Sequence, residues 1–236
     1  ELLDGRGLVL SGGNLLNSGE MRLNGDVVSG SAKLTNASAG TLSGRGVVTA
    51  AFQNDGRLVV DTGSFSVVSN FNNTGQVLLG SAAASLAGGT IANSGRILGQ
   101  GQVSNAIVNT GTVGAVGGTL TLDGSLTNNG LVSAGMGGTV LVNRGLASNA
   151  GKIQLAGGAF DNNGKAMTNE AGATINGFGS LSGGLLTNKG KVLLSGGNST
   201  INSDVLSTAA SQIILSGNSN STFYGTVDVQ SGAELR

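Results

Sequence analysis

The sequence predicts an all-β fold, a parallel β-helix (β-solenoid) of roughly 12 coils of about 19 residues, with two or three short strands in each coil. Three observations support this prediction. A five-residue phrase, Asn-x-Gly-x-aliphatic, recurs along the chain, short runs alternate between apolar and polar residues, and the 236 residues include 44 glycines but no proline. Because apolar residues make up 39% of the chain, a disordered glycine-rich segment is disfavoured.

The repeated phrase marks one position in each coil. It occurs at Asn54–Leu58, Asn73–Val77, Asn93–Ile97, Asn109–Val113, Asn149–Ile153 and Asn188–Val192. An aliphatic residue follows the glycine by two positions, so we expect this residue to face inward in successive coils. The predicted inward column consists of Leu58, Val77, Ile97, Val113, Val132, Ile153 and Val192.

The strands are predicted from period-two patterns such as Thr119-Leu120-Thr121-Leu122, and the corners from glycine pairs such as Gly117-Gly118. Apolar residues do not recur with helical spacing, and glycine is too frequent for an unbroken helix. Strands separated by such short corners must pair with equivalent strands of adjacent coils, which gives parallel sheets. Right-handed winding is expected because parallel crossovers favour it.

The repeated asparagines have two interpretations. Asparagine tolerates corner conformations, and equivalent side-chain amides of stacked coils can form a ladder of hydrogen bonds. We expect Asn54, Asn73, Asn93, Asn109, Asn128 and Asn149 to lie in such a ladder. The alternative is a repeated ligand or ion site.

The whole chain, residues 1–236, is predicted to be a single solenoid domain that starts and stops within a coil. Leu3–Val9 matches Leu42–Val48, and the last residues also read as part of a coil. The chain is therefore expected to be a processed protein or a segment of a longer one. If subunits stack end to end, Leu2, Leu3 and Leu235 are the candidate contacts.

The segment 195–225 has the loosest repeat and is expected to contain a surface loop. It brings Phe223 and Tyr224 together as a candidate contact patch for a neighbouring molecule or a glycan. The alternative is an aromatic pair that only covers apolar surface of the rod.

The amino-acid composition argues against most catalytic and binding functions. The chain has 12 basic and 12 acidic residues and lacks histidine and cysteine, so we expect neither nucleic-acid binding nor a transition-metal site or other cofactor. The acidic residues are scattered singly, which argues against an enzyme and against calcium-binding repeats. No apolar run is long enough to predict membrane insertion. A threonine face for ice binding is suggested only locally, by Thr119 and Thr121.

The run from Asn109 to Gly135 resembles the repeats of secreted bacterial β-helix proteins: filamentous-haemagglutinin-like adhesins, autotransporter passengers and β-strand-repeat surface proteins. The phrase (Leu/Ile)-x-Gly-x-Gly-x-(Val/Leu) adds to this resemblance, and it occurs at Leu42–Val48, Ile97–Val103 and Ile175–Leu181.

The resemblance implies an extracellular or cell-surface, non-catalytic structural protein that forms or belongs to a fibre or matrix filament. Its partner would be a further copy, stacked end to end, or the remainder of a longer chain. The alternative is the stalk or binding segment of an adhesin that recognises host or glycan surfaces.

Overall fold

The computed structural model describes residues 6–217 and 219–236. These residues form an all-β parallel solenoid of about 11 turns, with successive turns about 20 residues apart and no helix in the described ranges. The predicted fold class is confirmed, with about one turn fewer than the sequence estimate. At the usual separation of paired strands, about 4.8 Å, the rod is ~53 Å long.

The described ranges contain 28 strands. They are β1 Gly7–Leu10, β2 Leu15–Asn17, β3 Glu20–Gly30, β4 Leu34–Asn36, β5 Thr41–Val48, β6 Phe52–Asn54, β7 Arg57–Val60, β8 Gly63–Val67, β9 Phe71–Asn73, β10 Gln76–Gly88, β11 Ile91–Asn93, β12 Arg96–Val103, β13 Ile107–Asn109, β14 Thr112–Leu122, β15 Leu126–Asn128, β16 Leu131–Gly135, β17 Gly138–Val142, β18 Ser148–Asn149, β19 Lys152–Asp161, β20 Met167–Asn169, β21 Thr174–Ser182, β22 Leu186–Asn188, β23 Lys191–Asn202, β24 Val205–Ser207, β25 Gln212–Ser216, β26 Ser221–Phe223, β27 Val227–Val229 and β28 Glu234–Leu235.

Each coil has three arms. The short arm is a strand of two or three residues, and the 12 short arms form one sheet in the order β2-β4-β6-β9-β11-β13-β15-β18-β20-β22-β24-β27. A first arm and a second arm follow, and together they form the 16-stranded sheet. In one coil these arms are separate strands: β7 is the first arm and β8 is the second. In the next coil the single long strand β10 pairs with both of them.

The core is a set of stacked columns rather than a compact centre. The predicted inward residues Leu58, Val77 and Ile97 are direct register partners in consecutive first arms. All seven residues of the predicted inward column are at most 2% exposed. Leu42, Ile175 and Ile213 continue the same column. Burial of each such side chain contributes about 1.5–3 kcal/mol, so the columns hold the coils together.

The glycine of the repeated phrase is required for close stacking of coils. A Cβ atom added to Gly75 would lie 2.1 Å from the carbonyl oxygen of Gly56, and one added to Gly95 would lie 2.1 Å from that of Gly75. These glycines do not have positive φ angles. Gly88 differs, because its φ of 123° is in the region that favours glycine. Backbone contact between coils therefore explains the glycine in the phrase.

The segment 195–225 continues the register of the solenoid. Ile201 pairs with Phe223, and Val192 pairs with Ile213. Strand β25 ends at Ser216 and β26 begins at Ser221, with Asn218 outside the described residues. Of the candidate end contacts, Leu2 and Leu3 also lie outside the described residues, whereas Leu235 lies in β28 and is 52% exposed.

Candidate functional site

The asparagines at the ends of the short arms form one ladder of hydrogen bonds along the rod. In each step the Nδ2 of one residue donates to the Oδ1 of the next, at 2.7 to 3.0 Å. The ladder comprises Asn17, Asn36, Asn54, Asn73, Asn93, Asn109, Asn128, Asn149, Asn169 and Asn188. Nine of the ten are buried; Asn17, in the first of these coils, is partly exposed.

Every amide in the ladder has the same orientation. Besides its bond along the ladder, Asn73 Nδ2 donates to the backbone carbonyl of Arg96 at 3.2 Å, and Asn93 Nδ2 donates to that of Thr112 at 3.1 Å. A flipped amide would place its oxygen against this carbonyl, so the second bond fixes the orientation. All side-chain N–H groups thus point toward the C-terminal end of the rod.

The ladder ends inside the described solenoid. Asn188 Nδ2 donates to Ser207 Oγ at 3.3 Å, and Ser207 Oγ lies 2.6 Å from Ser211 Oγ. Ser211 Oγ in turn donates to the carbonyl of Thr208 at 2.6 Å. The register partner of Ser207 in the next coil is Val229, which has no polar side chain. The two serine hydroxyls therefore close the ladder at its C-terminal end.

All six asparagines predicted for the ladder lie in it. Sequence reasoning missed Asn17, Asn36, Asn169 and Asn188. Asn36 and Asn169 are followed by longer corners, so the Asn-x-Gly phrase does not detect them. A better signal than this phrase is the three-residue pattern of the short arm, in which an apolar residue, any residue and asparagine follow one another. Leu34–Asn36 and Met167–Asn169 are examples. Because these buried amides bond to one another, their polar atoms are not available to a repeated ligand or ion.

Phe223 and Tyr224 do not form a joint surface patch. Phe223 is partly buried and packs against the core, whereas Tyr224 is 74% exposed. Their side chains alternate because adjacent residues in an extended chain point to opposite faces. Tyr224 lines an open cavity of about 380 Å³ together with Leu185 and Asp204. Only the tyrosine is therefore available for a contact.

The carboxylates with altered pKa values are held by neighbouring polar groups. Hydrogen bonds from Gln53 and Thr74 lower the pKa of Asp55. A hydrogen bond from Ser148 lowers the pKa of Glu170, and one from the Thr226 backbone lowers that of Asp204. These three residues lie on separate coils and do not converge on one site.

Residues 6–217 and 219–236 include no group of three acidic side chains that is placed to hold a metal ion. They contain no helix with the length and apolar character needed to cross a membrane.

The chain matches no protein-family model, no curated protein and no solved structure. The architecture itself is that of a β-helix repeat protein.

Proposed function

We propose that this chain is a non-catalytic structural rod of an extracellular or bacterial cell-surface fibre or matrix filament. The observation that carries the proposal is the side-chain ladder, which links successive coils from Asn17 to Ser207 beside two continuous parallel sheets. The resemblance of the repeats to filamentous-haemagglutinin-like adhesins, autotransporter passengers and β-strand-repeat surface proteins supports the extracellular location.

The arrangement is suited to bearing load along the rod axis. In both sheets the hydrogen bonds between neighbouring strands run along this axis, as do the bonds of the ladder. Pulling the coils apart would require several of these bonds to break together. The ladder and the two sheets also lie beside buried aliphatic columns, from which water is excluded. These features favour a stiff element over a mobile binding domain.

The partner we propose for the rod is a further set of coils, either in a second copy or in the remainder of a longer chain. Strands at the edge of a sheet expose unpaired N–H and C=O groups that pair readily with another strand. Because Ser207 and Ser211 close the ladder, a contact beyond β27 and β28 would rely on backbone pairing and on apolar residues such as Leu235.

Electron microscopy of the purified chain at increasing concentration tests this assembly. We expect unbranched fibres of the width of one rod. Leu235→Asp should prevent them, whereas the control Leu185→Asp, at an exposed lateral position, should leave them intact. Separate rods of ~53 Å at every concentration would reject end-to-end stacking of copies. The remainder of a longer chain would then be the partner.

A second candidate function is the stalk or binding segment of an adhesin that recognises a host or glycan surface. Its support is Tyr224, which lines a cavity beside Leu185 and Asp204. Aromatic rings with one polar end are common in binding surfaces. Binding of the chain to a panel of neutral glycans, compared with binding of Tyr224→Ala, tests this candidate. Equal signals from the two proteins would reject the tyrosine site.

A further inference from the structure

The outer face of the first arms differs in charge from the two other faces of the rod. We propose that this face binds a linear acidic polysaccharide that lies parallel to the rod axis. The proposal goes beyond the structural function and does not depend on whether the rods assemble.

Four cations lie in one outward column of the first arms. Arg57 and Arg96 are both register partners of Gln76, one coil on either side of it. Lys152 and Lys191 are likewise both partners of Thr174. Each cation follows the glycine of the repeated phrase and precedes an inward aliphatic residue, so its side chain faces outward.

No carboxylate interrupts this column between Thr41 and Gln212, nor the parallel outward column two residues further along each arm. In the described strands, the outward positions of the short arms and of the second arms carry no lysine or arginine. Over the described strands, a chain with balanced charge thus has one positively charged face.

Among the residues that the structure describes, none of the four cations forms a salt bridge. The salt bridges among the described residues are Lys189–Glu170 and Arg236–Glu234, and neither involves the column. Arg57 and Arg96 are exposed, and Lys152 and Lys191 are half-buried. Binding an anionic ligand therefore requires no existing ion pair to break.

The spacing within each pair of cations matches a polymer with widely spaced charges. Two coils separate Arg57 from Arg96 and Lys152 from Lys191, a distance of ~9.6 Å in each case. This distance is close to the length of one extended disaccharide. Gln76 and Thr174 lie between the members of the two pairs and offer hydrogen-bonding groups for sugar hydroxyls.

The outward column two residues further along each first arm supplies an apolar surface beside the cations. Val59, Leu78 and Leu98 are consecutive register partners and are half-buried. Aliphatic side chains in this position can contact the less polar faces of sugar rings. The face therefore presents cations, hydrogen-bonding groups and apolar side chains in straight lines parallel to the rod axis.

A cleft of about 450 Å³ lies at the N-terminal end of the same face. Arg22 and Arg45 line it together with the hydroxyl-bearing Thr41 and Ser43. Glu20 and Asp61 also line the cleft and offer acceptors for sugar hydroxyls. The cleft is a recess at one end of the face, where the carboxylate of a terminal acidic sugar would contact Arg22 and Arg45.

A nucleic acid is a poorer match for this face. Double-stranded DNA carries one charge per about 1.7 Å of axis, and single strands are usually bound by stacking on aromatic rings. The four cations are spread over seven steps between coils, ~34 Å, and neither outward column contains an aromatic residue.

The test is binding of the whole chain to hyaluronan and unsulfated chondroitin decasaccharides, with a dextran oligosaccharide as the neutral probe and oligo(dT) as the nucleic-acid probe. The variant for the face replaces Arg57, Arg96, Lys152 and Lys191 by glutamine. The matched control replaces Lys33, Arg144, Lys165 and Lys189 by glutamine, which changes the net charge equally on other parts of the rod. Titration calorimetry at about 0.05 M salt limits ionic screening.

We expect the native chain to bind both acidic probes, with an affinity that falls as salt is added, and to ignore dextran. The face variant should lose about tenfold or more in affinity, and the control about twofold or less. Equal losses in both variants, absence of binding by the native chain, or tighter binding to oligo(dT) would each overturn the proposal.

Circular dichroism and urea unfolding establish that both variants are folded. If the fourfold variant does not fold, Arg57→Gln and Arg96→Gln, compared singly with Arg144→Gln, provide the same test at exposed positions. Because binding is measured on separate rods, its failure is distinguishable from failure of fibre formation.

Discussion

Replacement of Asn73 by alanine tests the ladder most directly, because the chain provides a matched control in the adjacent residue. Asn73 is buried in the ladder, whereas Asn72 lies in the same short strand, faces outward and makes no side-chain hydrogen bond among the described residues. The two variants remove the same chemical group from neighbouring positions.

The expected loss follows from the bonds that disappear. Asn73 accepts from Asn54 Nδ2 at 2.7 Å, donates to Asn93 Oδ1 at 2.7 Å and donates to the carbonyl of Arg96 at 3.2 Å. At about 1 kcal/mol net for each bond, this amounts to ~3 kcal/mol. Asn93 Oδ1 is left buried without its donor, which costs about 1–3 kcal/mol more. We therefore expect a loss of ~4–6 kcal/mol in the free energy of unfolding.

Urea unfolding followed by circular dichroism measures this loss. With a slope of about 3 kcal/mol/M, the midpoint for Asn73→Ala should fall by ~1.3–2 M. Asn72→Ala should change the free energy by no more than ~0.5 kcal/mol. Equal midpoints for the two variants would refute the reasoning, because they would mean that the ladder bonds of Asn73 contribute nothing to stability.

Asn73→Asp separates hydrogen bonding from side-chain volume. At neutral pH the carboxylate can accept from Asn54, but it faces Asn93 Oδ1 and the Arg96 carbonyl, which are also acceptors. Burial raises the pKa of such a carboxyl in the folded state, so stability is lost as pH rises through that value. The variant should be less stable than Asn73→Ala at pH 7 and recover relative to it below about pH 4.

Three further predictions concern the core, the corners and the carboxylates. Val113→Asp buries an unpaired charge in the inward column and should abolish cooperative thermal unfolding; an unchanged transition would contradict the inward position. Gly75→Ala should lower stability by more than ~3 kcal/mol in urea unfolding, because its Cβ would overlap the Gly56 carbonyl, whereas Gly12→Ala, with no atom within 4 Å, should have little effect. Because the chain has no histidine and hydrogen bonds lower the pKa values of carboxylates such as Asp55, the urea midpoint should be flat from about pH 5.5 to 8.5 and fall below about pH 4; a midpoint that drops near pH 6.5 would contradict this.

The sequence predicts the fold well because each coil requires the same residue types at the same positions. The residue two positions after the glycine must be aliphatic, as at Val77 and Ile97, and the amide before the corner must pair with its neighbours. These requirements are visible as a period. The right-handed winding stays a prediction from the preference of parallel crossovers.

Features that depend on contacts between coils were not predictable from the phrase. Asn36 and Asn169 belong to the ladder although longer corners follow them, because the register of the short arms holds their side chains in line. Phe223 faces the core because it pairs with Ile201, 22 residues earlier, and adjacency to Tyr224 did not reveal this. The charge of one face likewise appears only when residues from successive coils are aligned.

The ladder also has a consequence for how the chain tolerates insertions. Consecutive ladder residues are separated by as few as 16 positions, from Asn93 to Asn109, and by as many as 21, from Asn128 to Asn149, with nearly equal bond lengths. The differences in length are absorbed by the bends and corners outside the short arms. The rod is therefore a scaffold into whose exposed corners and bulges, such as the bulge of β10 at Ala82 and Ala83, foreign peptides can be grafted at intervals of one coil.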